Sequence, residues 1–471
     1  MRPGESPPLN ILIVGAGIAG FSAAISCRRA GHNVDIYERS ALNNELGAAI
    51  HVCPNASRGL LAWGLDPVKG RFVTCKKSWR AHGSTLVAFQ ESDDSYVAEK
   101  FGAPWYFAHR VDLHEELKRL ATRAEGGGRP AVVHLKSEVT KYDPEAGSIS
   151  LSNGRDVFGD LVIAADGVHT ASIEAILGIS NPALPTTNYN FAYRFLIPTE
   201  ELAADPETVQ FTEDDDGKIK ILVGEGRRLV WYPCRNNEAH NFVAIFHSDE
   251  HVYHEDWQTH VDASALLGTY SDFHPSIVAV LRQVADKADA APYRKAKDVK
   301  QWPLLFRAPI TSWHREKLVA IGDAAHPMLP HQGQGGAQAI EDSVALGIAL
   351  VGCTPANLED RLKVFEGLRM KRASVMQIFS NAGQDEPEKI RIDAAKFIPA
   401  ALVPSTPPPL SPEINGTSDM IGSPETPEDF FAYNFGYDVV KDSTQAMQRE
   451  DPTWELPPMF FEKTPAAGVY P

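Results

Sequence analysis

The spacing of apolar residues changes period along this chain, and the changes divide it into parts. Near the amino end, four consecutive apolar residues, Ile11 to Val14, predict a short strand buried on both faces. Ile18, Phe21, Ala24 and Ile25 follow at helical spacing up to Gly31, which suits a helix C-cap. Val34 and Ile36 then begin a second strand ending at Glu38. Ala56 to Trp63 reads as helix, and VDLHEELKRLATRAEGGG as an amphipathic helix stopped by Gly126 to Gly128. SISLS and RDVF, joined through Asn153-Gly154, predict a hairpin. The apolar run Leu161 to Ala165 ends in Asp166-Gly167 and is expected to rejoin the first sheet. From about Tyr189 to Pro303 the period becomes two. There FAYRFLIP, VQFT, KIKILVG, RLVWYPC and NFVAIF predict an inserted antiparallel sheet, with DDDG as a hairpin turn. A strand, Leu318 to Ile321, next ends in Gly322-Asp323, and a glycine-rich loop opens a long helix whose Ala337, Ala339 and Ala345 allow close packing. Helical spacing continues to about Ala394. Pro399 to Glu428 then holds eight prolines in thirty residues, a linker or surface wrap, and the last forty residues are expected to pack back on the body.

The first strand, helix and second strand frame Gly15, Gly17 and Gly20 at G-x-G-x-x-G spacing. Such glycines let the backbone turn tightly, approach a pyrophosphate and pack helix on strand, while the helix N-terminus offers amides and partial positive charge. Glu38, at the end of the second strand, is placed to accept hydrogen bonds from ribose hydroxyls. The ligand expected is a dinucleotide, FAD or NAD(P).

Composition narrows the partners. The 471 residues are 43% hydrophobic, enough for a large core, and the net charge of −16 argues against nucleic acid, which demands a basic face. Five scattered cysteines without a C-x-x-C pair suggest a reducing compartment. No run reaches the ~18 apolar residues of a membrane span, and no signal region opens the chain, so the expectation is a soluble cytoplasmic enzyme. The histidines at 247, 251, 254 and 260 lack metal-ligand spacing, and no metal is expected. Lys69, Arg71, Lys76, Lys77 and Arg80 read as a solvated basic face.

Three motifs in this order resemble the flavin-dependent aromatic hydroxylases of the para-hydroxybenzoate hydroxylase fold: the N-terminal glycine motif with Glu38, Asp166-Gly167, and Gly322-Asp323-Ala-Ala-His-Pro. The likeness covers roughly residues 9 to 380 and is nearest the salicylate-hydroxylase-like branch. AAIHVCPNASR, YRFLIP, WYPC and HPMLPHQGQGG carry a narrower likeness to monooxygenases that dearomatise polyketide phenols, of the azaphilone, tropolone and sorbicillinoid type. The resemblance implies an α/β fold, a Rossmann-like FAD-binding domain with an inserted antiparallel β-sheet substrate domain and C-terminal helices. The division expected is 9–185 and 304–395 for the FAD-binding domain, 186–303 for the substrate domain, and 396–471 for a proline-rich wrap and terminal segment.

By the same resemblance, FAD is bound non-covalently, with Gly15, Gly17 and Gly20 at its pyrophosphate and Glu38 at the adenosine ribose. Ala49 and Arg110 would touch the cofactor, Asp323 the ribityl chain, and the amides near Gly335 and Gly336 the pyrimidine side of the flavin. A helix N-terminus aimed there favours the anionic reduced ring. Asp166 would serve both FAD and NAD(P)H, which binds transiently because no second nucleotide-binding βαβ unit is visible. Ala48-Ala49 and Gln332-Gly333 depart from the salicylate branch. The implied reaction uses NAD(P)H and O2 to hydroxylate a small phenolic substrate as its phenolate, a form that a nearby cation favours. Arg194 is the candidate cation and Tyr232 the candidate hydrogen-bonding partner, with Pro330 and His331 shaping the pocket. The alternatives are a decarboxylating salicylate-type hydroxylase, a flavin oxidase or dehydrogenase without oxygen insertion, and a non-catalytic dinucleotide-binding scaffold.

Overall fold

In the computed structural model, which describes residues 7–42, 48–185, 191–248, 263–285, 299–382 and 427–468, the apolar run at the amino end forms the strand Asn10–Val14 inside a six-stranded sheet. Asn33–Tyr37 and Leu161–Ala164 flank it in parallel, with Ile11 opposite both Val34 and Leu161. Val132–His134 closes one edge. On the other side come Leu318–Ala320 and then His314–Arg315, the one antiparallel pairing in this sheet. Strands buried on both faces need cover on both. The helix Ile18–Arg29 supplies part of it and packs against Gly335–Leu350. That contact is close: a Cβ on Gly347 would stand 2.6 Å from that of Ser26.

The alternating region builds a seven-stranded sheet in the order Lys300–Pro303, Phe191–Pro198, Ala239–Phe246, Arg227–Cys234, Lys218–Gly224, Lys77–His82, Ala88–Asp93. Its last two strands come from residues the apolar spacing did not single out, and Lys77–His82 runs parallel to Lys218–Gly224. The sheet therefore reaches into the 9–185 span. VQFT is not a strand; Val209–Phe211 is one turn of 3-10 helix. DDDG accordingly leads into a strand instead of joining two. Its three carboxylates diverge onto lysines: Asp214 onto Lys77 at 2.6 Å, Asp215 onto the buried Lys220, and Asp216 onto Lys76. The supposed basic face is thus largely spent on ion pairs, since Arg71 also meets Asp112 at 2.9 Å.

Strand alternation gives the sheet two different faces. Tyr193, Phe195, Leu229, Trp231, Phe242 and Phe246 face outward into a core shared with the helices Ala263–Thr269 and Pro275–Ala285. Ala192, Val230, Val243 and Ile245 belong to the other face, where Leu304 and Leu329 pack on them. Arg194 pairs with Val243, which pairs with Val230; Tyr232 pairs with Asn241 one rung further along the same face.

The 427–468 segment packs back on the body through the helices Pro427–Gly436 and Val439–Glu450, with Met447 and Phe460 fully buried. The proline-rich stretch, the helical pattern between residues 383 and 394, Gly47, and the histidines at 251, 254 and 260 lie outside the described residues. Among the described residues no helix is long and apolar enough to cross a membrane. All five cysteines are buried and unbonded.

Candidate active site

The three glycines of the first turn do three different jobs. Gly15 has φ +98°, and a Cβ there would stand 2.8 Å from the Ala165 carbonyl carbon, so only glycine lets the turn pass the neighbouring strand end. A Cβ on Gly20 would strike the Gly15 carbonyl, which seats the helix on the turn. Around Gly17 nothing lies within 4 Å of where a Cβ would be, leaving room for a phosphate at the start of Ile18–Arg29. Glu38 braces this turn: its Oε2 accepts from the Ala16 amide at 2.8 Å and its Oε1 from the Ser40 amide at 2.7 Å. His114 Nε2 is 2.6 Å from the Ala16 carbonyl oxygen, so the turn is held from both sides.

Asp323 follows Gly322, whose amide donates to Asp342 at 2.9 Å. Its side chain is exposed, yet the surrounding protein raises its pKa by desolvation. Exposure with desolvation describes a carboxyl at the bottom of a recess. Gly335 opens the helix Gly335–Leu350 beside it, with a Cβ position 3.9 Å from Asp323 Oδ1. Gly336 lies under Ile50, at 2.7 Å from Cβ position to Cδ1, so the strand Ala49–Val52 rests on the helix start. Arg110 begins the helix Arg110–Thr122 and donates its amide to the Ala48 carbonyl at 2.9 Å. Its exposed guanidinium is near enough to Asp323 and Arg194 to act on both, which ties the two halves of the site together. Asp166 accepts the Tyr142 hydroxyl at 2.6 Å, and burial raises its pKa.

These residues fit FAD. Room at Gly17, a braced acid at a strand end, a recessed carboxylate and an uncapped helix N-terminus are the donor and acceptor set a dinucleotide needs.

On the inner face of the large sheet, the Arg194 guanidinium stacks on Trp302, 4.6 Å from the ring centroid. Its Nε is buried and has no hydrogen-bond partner among the described residues, and the same holds for Asn241 Nδ2. Burial lowers the Arg194 pKa, and the Arg110 charge adds to this. Tyr232 donates to the Ala49 carbonyl at 3.1 Å, while the Ala49 amide donates to Asn241 Oδ1 at 2.9 Å. The sheet is thereby pinned to the strand Ala49–Val52 by two hydrogen bonds. His51, two residues on, stands edge-on to Tyr232 with centroids 4.6 Å apart. Burial lowers its pKa to about 4, so it is neutral at ordinary pH. Burial also raises the Tyr232 phenol.

His51, Asn241, Trp302 and Tyr142 were not singled out as functional from the sequence. A usable signal existed for two of them: His51 lies inside AAIHVCPNASR, and Asn241 breaks the apolar alternation of its strand. Neither Trp302 nor Tyr142 carries one, because their partners are set by strand register.

Behind the recess, Glu341 and Asp342 are fully buried on the helix that Gly335 opens. Asp342 Oδ1 accepts from Arg369 Nε at 2.9 Å, and Glu341 Oε2 accepts from Arg372 Nε at 2.7 Å. Two acids facing two arginines leave no net charge, which keeps the burial affordable and the helix start fixed.

A sequence profile for the FAD binding domain matches residues 113–374, and one for an NAD(P)-binding Rossmann-like domain matches residues 13–49. The FAD-dependent monooxygenase cfoG of Aspergillus candidus is 41% identical over 458 residues, 96% of this chain and 98% of its own length. Hispidin-3-hydroxylase of Neonothopanus nambi is 31% identical over 81% of this chain and 89% of its own. Among solved structures, CtdE in complex with FAD and a substrate superposes with a TM-score of 0.73 at 21% identity, over 94% of this chain and 98% of its own. A salicylate hydroxylase substrate complex gives 0.66 at 19%, over 93% and 98%. The profile match, the near full-length likeness to cfoG and the geometry of the recess agree: the chain belongs to the FAD-dependent monooxygenases.

Proposed function

We propose that this monooxygenase uses NAD(P)H and O2 to hydroxylate a phenolic, polyketide-derived small molecule in the cytoplasm, with loss of aromaticity where the attacked carbon carries a substituent. One oxygen atom enters the ring and the other leaves as water, while NAD(P)H supplies the two electrons. FAD held here would supply the redox chemistry that links NAD(P)H to O2. The observation that carries the reading is the orphaned, buried Nε of Arg194 and the orphaned Asn241 Nδ2 on the same face as the apolar Ala192, Val230, Val243 and Ile245. A buried donor without a partner costs about 1–3 kcal/mol, so this pair calls for an anionic or carbonyl oxygen.

In this reading the apolar face of Val230, Val243 and Ile245 takes the ring, with Leu304 and Leu329 opposite. Arg194 holds the oxygen as phenolate and thereby lowers the substrate's pKa. Neutral His51 relays the phenol proton that Tyr232 passes on when its hydroxyl leaves the Ala49 carbonyl, taking it at one ring nitrogen while the other releases a proton to solvent. A substituted carbon has no hydrogen to lose after attack, so the product stays a dienone. Glu38 holds the adenosine ribose and Gly15, Gly17 and Gly20 the pyrophosphate, while Ala49, Arg110, Asp166, Asp323, Gly335 and Gly336 surround the rest of the cofactor.

The test is NAD(P)H consumption against a panel of phenols, with 18O2 and product mass spectra. Label in the product at one atom per NAD(P)H supports the reading. Stoichiometric peroxide without label would make the protein an oxidase and remove it. Acid precipitation should leave free flavin in the supernatant.

A further inference from the structure

The 427–468 segment touches the substrate end of the site through a file of aromatic rings. Phe435 packs on Trp105 with centroids 5.3 Å apart, Trp105 stands edge-on to His51 at 5.5 Å, and His51 stands edge-on to Tyr232 at 4.6 Å. Phe101 backs Phe435 at 5.6 Å and 88°. Phe435 and Trp105 are both buried, at 4% and 7% exposure.

The backbone around Phe435 is held by two buried arginines of the body. Arg58 donates to the carbonyls of Tyr437 at 2.6 Å and Phe435 at 3.4 Å. Arg372 donates to those of Tyr433 at 2.7 Å and Asn434 at 3.2 Å, and also grips Glu341. Charge-assisted bonds to successive carbonyls fix a ring's position more firmly than apolar packing alone. On its other side His51 is confined by Gly333, where a Cβ would come within 3.1 Å of Nδ1. Phe107 covers a third side at 5.1 Å. The imidazole is therefore walled on these sides while staying partly exposed, and the Trp105 wall is the one backed by the 427–468 segment.

We propose that Phe435 is a positioning residue for catalysis: by wedging Trp105 against His51, it closes that side of the imidazole to water and keeps the ring turned toward Tyr232. The inference rests on His51 being the proton acceptor proposed above. Of the ionisable groups near His51, Tyr232 and Cys53 are both raised by burial and so uncharged, with Arg194 beyond Tyr232. Burial alone therefore sets the low pKa of His51, and water admitted at the Trp105 wall would raise it.

The experiment measures His51 twice in the FAD-loaded enzyme: by titration of its ring signal with labelled histidine, assigned from His51→Gln, and by the acid limb of kcat/KM. Phe435→Ala should move both upward by about one pH unit, and Phe435→Leu should restore most of each. Glu462→Ala loosens the same segment elsewhere, at Arg29, and should move neither. If Phe435→Ala does not fold, Phe435→Leu against Phe435→Met gives the same comparison with smaller steps. An unmoved His51 titration overturns the proposal, as does an equal shift in Glu462→Ala. A moved titration with an unmoved limb overturns the acceptor role of His51 itself, and leaves Phe435 as a fold contact.

Discussion

The cofactor end proposed for this enzyme and its proposed substrate end are built from different materials. At the cofactor end the contacts come mostly from the backbone: the glycine turn, the amides opening Ile18–Arg29 and Gly335–Leu350, and carboxylates that brace them. At the substrate end they come from side chains on a pleated sheet, where Arg194, Tyr232 and Asn241 share a face because three strands pair in one register. A backbone site tolerates few residue types at its turns, so it leaves a short mark in the chain. A side-chain site depends on what stands two strands away, and a one-residue slip would turn it to the outer core.

The largest effect should come from breaking the substrate end alone. Arg194→Ala should leave FAD bound and cut product formation at least about a hundredfold, since removing one partner of a desolvated charge pair costs about 3 kcal/mol or more. Arg194→Lys should recover only part, because the ammonium lacks the planar fork that both stacks on Trp302 and donates sideways. Product per minute with flavin content measured in the same samples decides it. Wild-type turnover in Arg194→Ala would take this residue out of the mechanism.

The converse break lies at the cofactor end. Glu38→Ala removes the acceptor for the Ala16 and Ser40 amides and should weaken FAD binding by about 1.5–3 kcal/mol. With FAD supplied in excess, turnover should return to near the wild-type value. A variant that binds FAD normally, read by flavin fluorescence on dilution, would show that the turn holds without its brace.

The smallest effect concerns the scaffold that neither end uses. His32 accepts the Leu9 amide at Nδ1 and donates from Nε2 to the Leu350 carbonyl at 2.8 Å, and burial lowers its pKa. The unfolded chain therefore binds a proton here that the folded one resists. Stability from this group is complete above the unfolded value near 6.5. Below it, stability falls by at most about 1.4 kcal/mol per pH unit. The urea midpoint should drop between pH 7.5 and 5.5, and by less in His32→Gln. Equal drops in the two proteins would mean that other groups carry the acid sensitivity.

The chain alone determined the first βαβ unit, the return of Leu161 to Ala165 to its sheet, the strand before Gly322-Asp323 and the period-two strands of FAYRFLIP and RLVWYPC. Each depends on a local pattern: glycines at fixed offsets, a buried apolar run, or alternation over six or more residues. Tertiary structure alone decided that Lys77–His82, carrying its neighbour Ala88–Asp93 with it, completes the large sheet, because its pairing with Lys218–Gly224 across more than a hundred residues leaves no local trace. It also decided that VQFT coils instead of extending, since Phe211 there packs on Trp231 from a neighbouring strand. And it decided that His51 meets Tyr232 and that Phe435 backs His51 through Trp105: these residues come from separate stretches, and only the packing of the sheets and the clamping of the 427–468 segment by Arg58 and Arg372 bring them into one file.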